Sequence, residues 1–156
     1  MSKLVYLLNG PNLNLLGLRE PHLYGSKTLQ DVEALCRPVA ERHGFDLQFR
    51  QTNREYEMVD WIQEARQAAG LVINPAGFSY NAVPVLDALK MCECPVVEVH
   101  ISNIHKRAET EARWRADSIM SAAVTGVIAG LGIVGYPLAL DYIGQTLAAN
   151  SERERP

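Results

Sequence analysis

The chain has 156 residues, 47% of them apolar and 21% charged, which is the balance of a globular protein and excludes a disordered or fibrous one. A net charge of −3 supplies no broad basic field, and no basic face interleaved with aromatics is visible, so nucleic acid is not expected as a partner. No apolar run approaches the roughly 20 residues that span a bilayer, and Met1-Ser2-Lys3 leads into a strand-like stretch without a secretory pattern, so a cytoplasmic protein with no membrane partner is expected.

In chain order, residues 4–8 have the length and apolarity of a strand and open onto a polar stretch at residues 9–25. Leu29, Val32, Leu35 and Val39 then recur at near-helical spacing, opened by Thr28 with Asp31 three residues on and closed by Gly44. Pro38 inside this pattern should kink or shorten the helix. A second strand is expected at residues 45–49, followed by a helix carrying Met58, Val59, Ile62 and Ala65 that ends before Gly70. A third strand at residues 71–73 precedes a helix with Val83, Leu86 and Leu89, with Pro84 in its first turn. Strands at residues 96–101 and 124–129 and a last helix with Leu138, Leu140, Ile143 and Leu147 complete the alternation.

Strands rich in Val and Ile that alternate with helices imply an α/β, flavodoxin-like fold: a five-stranded parallel sheet with helices on both faces. Residues 1–150 form one domain in this reading, and residues 151–156 a charged, frayed tail. Cys36, Cys92 and Cys94 are odd in number and lack zinc-type spacing, so they read as ordinary reduced thiols; a redox or metal role for Cys92-Glu93-Cys94 is the alternative.

Ligands of such sheets bind beyond the carboxyl ends of the strands. Three of those ends are unusually polar: Asn9 onward, residues 74–81 and residues 100–105. The first is far longer than the usual connection of about two to six residues, which points to function. It has neither the glycine-spaced dinucleotide fingerprint nor a Gly/Ser/Thr-rich phosphate turn. It does place Arg19 five residues before Tyr24, with amides at Asn9, Asn12 and Asn14. A phenol acts as a base only as phenolate, ordinarily formed near pH 10, and a guanidinium is the simplest device that favours the phenolate. Spacing alone leaves open that Tyr24 packs on the surface and Arg19 is solvated.

Residues 9–25, together with Gln51-Thr52-Asn53, Asn74-Pro75, Glu98-Val99-His100-Ile101-Ser102-Asn103-Ile104-His105 and Gly126-Val127-Ile128-Ala129-Gly130-Leu131-Gly132, resemble the type II 3-dehydroquinate dehydratases. The resemblance runs over residues 4–145. It implies removal of water from 3-dehydroquinate by trans elimination through an enolate, with no metal or organic cofactor and with a small carboxylate substrate. Residue by residue, it implies Tyr24 as the base, Arg19 as its activator and Asn12 as the group holding the water that stabilises the enolate oxygen. It makes His100 the acid that protonates the leaving hydroxyl, supported by Glu98 two residues earlier on the same strand face. Asn74, Ile101 and Ser102 would hold the substrate carboxylate. The family assembles as trimers grouped into dodecamers, and Asp87 matches an acid that reaches a neighbouring subunit's site. The competing imine chemistry needs a lysine in a dry strand, and Lys3, Lys27, Lys90 and Lys106 all lie outside buried strand patterns.

Departures from the family pattern fall on the substrate side. Tyr80 stands where a substrate-contacting histidine is usual, Leu86 where an arginine is common, and Arg54 and Tyr56 where a histidine and a glycine are common. Residues 106–117 replace a shorter segment. Arg107 matches one family arginine without a gap; a second, which contacts the ring hydroxyls, is assigned to Arg113, with Arg115 or its loss as alternatives. The segment is either a solvated helix or a lid bearing an arginine. A 3-dehydroquinate dehydratase of aromatic biosynthesis or of quinate breakdown is the leading expectation; a lyase for another β-hydroxy ketone and a non-catalytic binding protein are the others.

Overall fold

Val5, Tyr6, Leu7 and Leu8 are all buried, as in a strand covered on both faces. They lie in β1 (Lys3–Asn9), which pairs in parallel with β2 (Phe45–Gln51) and β3 (Gly70–Asn74); β4 (Val96–His100) and β5 (Gly126–Ala129) continue the sheet, giving the order β2-β1-β3-β4-β5. Helices are α1 (Pro21–Tyr24), α2 (Leu29–Arg42), α3 (Glu55–Ala65), α4 (Val83–Leu89), α5 (Ile104–Thr110) and α6 (Gly135–Arg153). The computed structural model describes residues 3–155; Met1 and Ser2 of the expected leaderless start and Pro156 of the expected tail lie outside the described residues. The doubly wound, flavodoxin-like order is the one expected, with strand ends displaced by one or two residues. No helix of the described chain is long and apolar enough to cross a membrane.

Alternate side chains of a strand leave opposite faces, so two cores form. Val5 and Leu7 pack with Val32 and Cys36 of α2 and with Leu140 and Ile143 of α6. Tyr6 and Leu8 pack with Met58 and Ile62 of α3 and with Val85 and Leu89 of α4. Each such side chain contributes roughly 1.5–3 kcal/mol of burial free energy.

Thr28 caps α2 in a reciprocal box with Asp31, the Asp31 N–H donating to Thr28 Oγ1 (3.2 Å) and the Thr28 N–H to Asp31 Oδ2 (2.8 Å). Pro38 does not shorten α2, which runs on to Arg42. Val32 and Cys36 before the proline and Ala40 after it are all buried, and this burial offsets the roughly 3 kcal/mol that an interior proline costs. Helix α6 runs three residues into the expected tail, where Ser151 Oγ donates to the Leu147 carbonyl (3.0 Å).

Connections reverse direction between β1 and β3, and there the carboxyl ends of the two strands are bound together. The buried Tyr136 hydroxyl of α6 donates to Asn9 Oδ1 (2.8 Å) and accepts from Asn74 Nδ2 (2.8 Å). Burial pushes this phenol above its usual range, so it stays a neutral donor. The Gly10 N–H donates to the Asn74 carbonyl (2.8 Å), and a Cβ at Gly10 would collide with the Pro75 carbonyl. A Gly10→Ala variant therefore separates the two loops; a loss of about 1–3 kcal/mol is expected in denaturant unfolding.

Candidate active site

Two apolar anchors hold the loop after β1. Leu13 and Leu16 are buried, on either side of a 3₁₀ turn at Leu13–Leu15. Asn12 opens the turn in the left-handed region (φ 68°), which asparagine tolerates better than most residues, and its N–H donates to Asn53 Oδ1 (2.9 Å). The expected polar loop is thus anchored through its apolar residues, which leaves Asn12 and Arg19 to line a cavity. Beyond it, Pro21 starts the single turn α1 that carries Tyr24.

On β4, Glu98 and His100 share a face. Glu98 is wholly buried; its Oε2 is hydrogen-bonded to His100 Nε2, and Ser121 Oγ donates to Oε1 (2.8 Å). Burial alone would raise this carboxyl. The His100 contact, with help from the half-buried Ser118 and from Ser121, outweighs burial and holds it below the usual carboxylate range. His100 Nδ1 is then the ring nitrogen not committed to Glu98.

After β4, Asn103 caps α5, its side chain accepting from the His105 and Lys106 N–H groups (3.1 and 3.2 Å). This start places Arg107 one turn along, where it is buried. Its Nη1 donates to the Tyr24 hydroxyl (2.8 Å) and to Ser102 Oγ (3.3 Å), while Nε and Nη2 donate to the two oxygens of Glu111 (3.0 and 3.2 Å). The Arg19 guanidinium lies 5.4 Å from the Tyr24 ring centre and makes a long ion pair with Glu20 (3.8 Å). Both arginines therefore lie against Tyr24, and the direct hydrogen bond comes from Arg107 rather than from the expected activator Arg19.

Asn12, Arg19, Tyr24, Asn74, Tyr80, His100, Ile101, Ser102 and Arg107 line one cavity with about 620 Å³ of empty space, part of it open to solvent. Glu98 lies behind His100, outside the lining. Asn74 is only partly free: its amide donates to Tyr136 and its Oδ1 accepts from the Ala76 N–H (3.1 Å).

Two expected substrate-binding residues are not at this cavity. Arg113 is exposed and outside the lining, and Arg115 lines the cavity instead. A 3₁₀ turn at Arg113–Ala116 causes the exchange, because its residues project about 120° apart, so only some of them face inward. Asp87 is exposed on α4, 4.0 Å from Lys90 Nζ. Residues 106–117 are both a helix and a cover: the Trp114 ring meets Tyr80 edge-on (4.7 Å between centres, 85°), and Arg115 lies over both rings (4.5 and 5.6 Å).

Tyr136, Ser121, Glu111 and Trp114 were invisible as site residues in the sequence. Glu111 alone had a signal, its i,i+4 spacing from Arg107. Cys92 and Cys94 precede β4 at the opposite end of the sheet, and Cys94 Sγ contacts the Ala65 carbonyl (3.5 Å). Among the described residues no three His, Cys, Asp or Glu side chains form a metal-binding group.

The model of the class II dehydroquinases matches residues 3–144. A 3-dehydroquinate dehydratase 2 of Agrobacterium fabrum is 57% identical over 138 residues, covering 88% of this chain and 91% of that protein. A 3-dehydroquinate dehydratase of Streptomyces coelicolor is 52% identical, with 96% and 94% covered. The crystal structure of the type II dehydroquinase from Propionibacterium acnes superimposes with a TM-score of 0.85 at 44% identity, covering 93% of this chain and 98% of that one. Sequence, sheet order and relatives agree, and the chain belongs to the class II dehydroquinase family.

Proposed function

We propose that this chain is a hydro-lyase that converts 3-dehydroquinate to 3-dehydroshikimate and water by trans elimination through an enolate. The observation that carries the reading is the pairing, in one cavity, of a phenol held by a buried arginine with a histidine backed by a buried carboxylate. Tyr24, as phenolate, takes the proton α to the ketone, and the electrons pass into the carbonyl as an enolate. Asn12, at the rim, holds a water against the enolate oxygen, so the developing charge meets a preorganised donor. Collapse of the enolate expels the hydroxyl, which leaves as water with a proton from His100; Glu98 stabilises the ring in its protonated form before transfer.

Ile101, Ser102 and the remaining proton of the Asn74 amide face the substrate carboxylate in this reading. Tyr80 and Arg115 face the ring hydroxyls, the phenol donating one hydrogen bond where a histidine is usual. The substrate is a small molecule of the cytoplasm, drawn from aromatic biosynthesis or quinate breakdown. Asp87, exposed and away from its own cavity, fits a role at the site of a neighbour in a trimer, with trimers grouped into a dodecamer.

Enone absorbance with 3-dehydroquinate tests the assignment. The wild-type protein is expected to produce the signal, and Tyr24→Phe to lower kcat by about 10²–10⁴-fold with little change in KM. An unaltered kcat would remove Tyr24 from the chemistry.

Glu98→Gln is expected to slow turnover and to cost about 1–3 kcal/mol at neutral pH, because His100 and Ser121 lose a charged acceptor. The folded carboxyl titrates below the usual value of 4.5. Its stabilisation is therefore complete above that pH and is lost as the pH falls through the depressed folded value. Urea midpoints of wild type and variant should converge in that acidic window.

A further inference from the structure

The arginine that touches Tyr24 is itself held by a residue outside the cavity lining. Glu111 accepts from Arg107 Nε and Nη2 with its two oxygens (3.0 and 3.2 Å), a bidentate pairing that fixes the guanidinium plane. The plane so fixed aims Nη1 at the Tyr24 hydroxyl (2.8 Å). Glu111 Oε2 is also 3.2 Å from Arg115 Nε, and Arg115 lies over the Tyr80 and Trp114 rings. One exposed carboxylate thus holds two cavity arginines at once and offsets their mutual repulsion.

We propose that Glu111 is a positioning residue for the dehydration reaction, fixing Arg107 on the Tyr24 hydroxyl and tying it to the Arg115 side of the cavity. The inference rests on the reading of Tyr24 as base. Without the carboxylate, Arg107 loses the acceptor for two of its donors, and its long side chain regains rotamers in which Nη1 no longer meets the phenol. The other charged or titratable groups around Tyr24 remain. Arg19 faces its ring, His100 and Arg115 line the same cavity, and His22, Lys27 and Lys106 line a cleft on its other side.

Two explanations for Glu111 differ in sign. As a mere negative charge near Arg107, it would disfavour the phenolate, and its removal would move phenolate formation to lower pH. As a positioning residue, its removal takes a hydrogen-bonded cation off the phenolate, and phenolate formation moves to higher pH.

The test is the pH profile of kcat/KM for 3-dehydroquinate in wild type, Glu111→Ala and Glu111→Asp, alongside ultraviolet titration of phenolate in each protein against its Tyr24→Phe partner. The acid limb and the Tyr24 titration should both move to higher pH in Glu111→Ala, by about one unit, so that kcat/KM on that limb falls about tenfold. Glu111→Asp, which keeps the charge but shortens the reach, should lie between the two and serves if the alanine variant fails to fold. A shift to lower pH, or none, in either variant overturns the proposal. The titration needs no turnover, so the two readings separate. Wild-type dehydration abolished in Tyr24→Phe, with unshifted Glu111 variants, removes only Glu111; a wild type that does not dehydrate 3-dehydroquinate removes the reading of the base.

Discussion

The buried hydroxyl of Tyr136 stands between Asn9 and Asn74 where β1 and β3 end, and the two loops that leave these strands toward the cavity start from it. Two buried asparagine side chains at neighbouring strand ends need partners, since an unmet polar group there costs about 1–3 kcal/mol. A phenol can donate to one and accept from the other. Because burial keeps it neutral, the bridge keeps its direction. Gly10 then leaves β1 against the Pro75 carbonyl, and Ala76 leaves β3 with its N–H on Asn74. The chain segments bearing Asn12 and Tyr80 diverge from that point, and the cavity is the space between them.

Charge at the site is divided between two strongly buried ions. Glu98 lies against His100 and Arg107 against Tyr24. A buried charge persists only when it is paired and hydrogen-bonded. Glu98 is held by His100 and Ser121, and Arg107 by Glu111, Ser102 and the Tyr24 hydroxyl. Each ion meets one cavity side chain directly, Glu98 the His100 ring and Arg107 the Tyr24 hydroxyl. The scaffold thereby brings two separately held pairs to one cavity, and the partners that hold one ion are not those that hold the other.

Tyr80, Trp114 and Arg115 give another part of the site a different character. There a phenol is met edge-on by an indole, with a guanidinium over both. An edge-to-face aromatic pair and a cation over the two rings are mutually attractive and hold this wall together. The 3₁₀ turn Arg113–Ala116 carries Trp114 onto Tyr80 and Arg115 to the cavity lining.

Local pattern was enough for the alternation of strands and helices, the Thr28–Asp31 cap, the parallel sheet and the polar strand ends, because periodicity and capping act over a few residues. The motif around His100 was equally legible, since Glu98 and His100 are two apart on a strand and must share a face. Which arginine touches Tyr24 was not: Arg19 is near in sequence, but Arg107 reaches the hydroxyl across 83 positions. Arg113 and Arg115 likewise differ only through the turn that carries them, and Tyr136 acquires its role 127 residues from Asn9. Spacing along a chain specifies direction and face within one element, whereas a hydrogen bond depends on a few tenths of an ångström between elements. That distance is set only when both cores have packed.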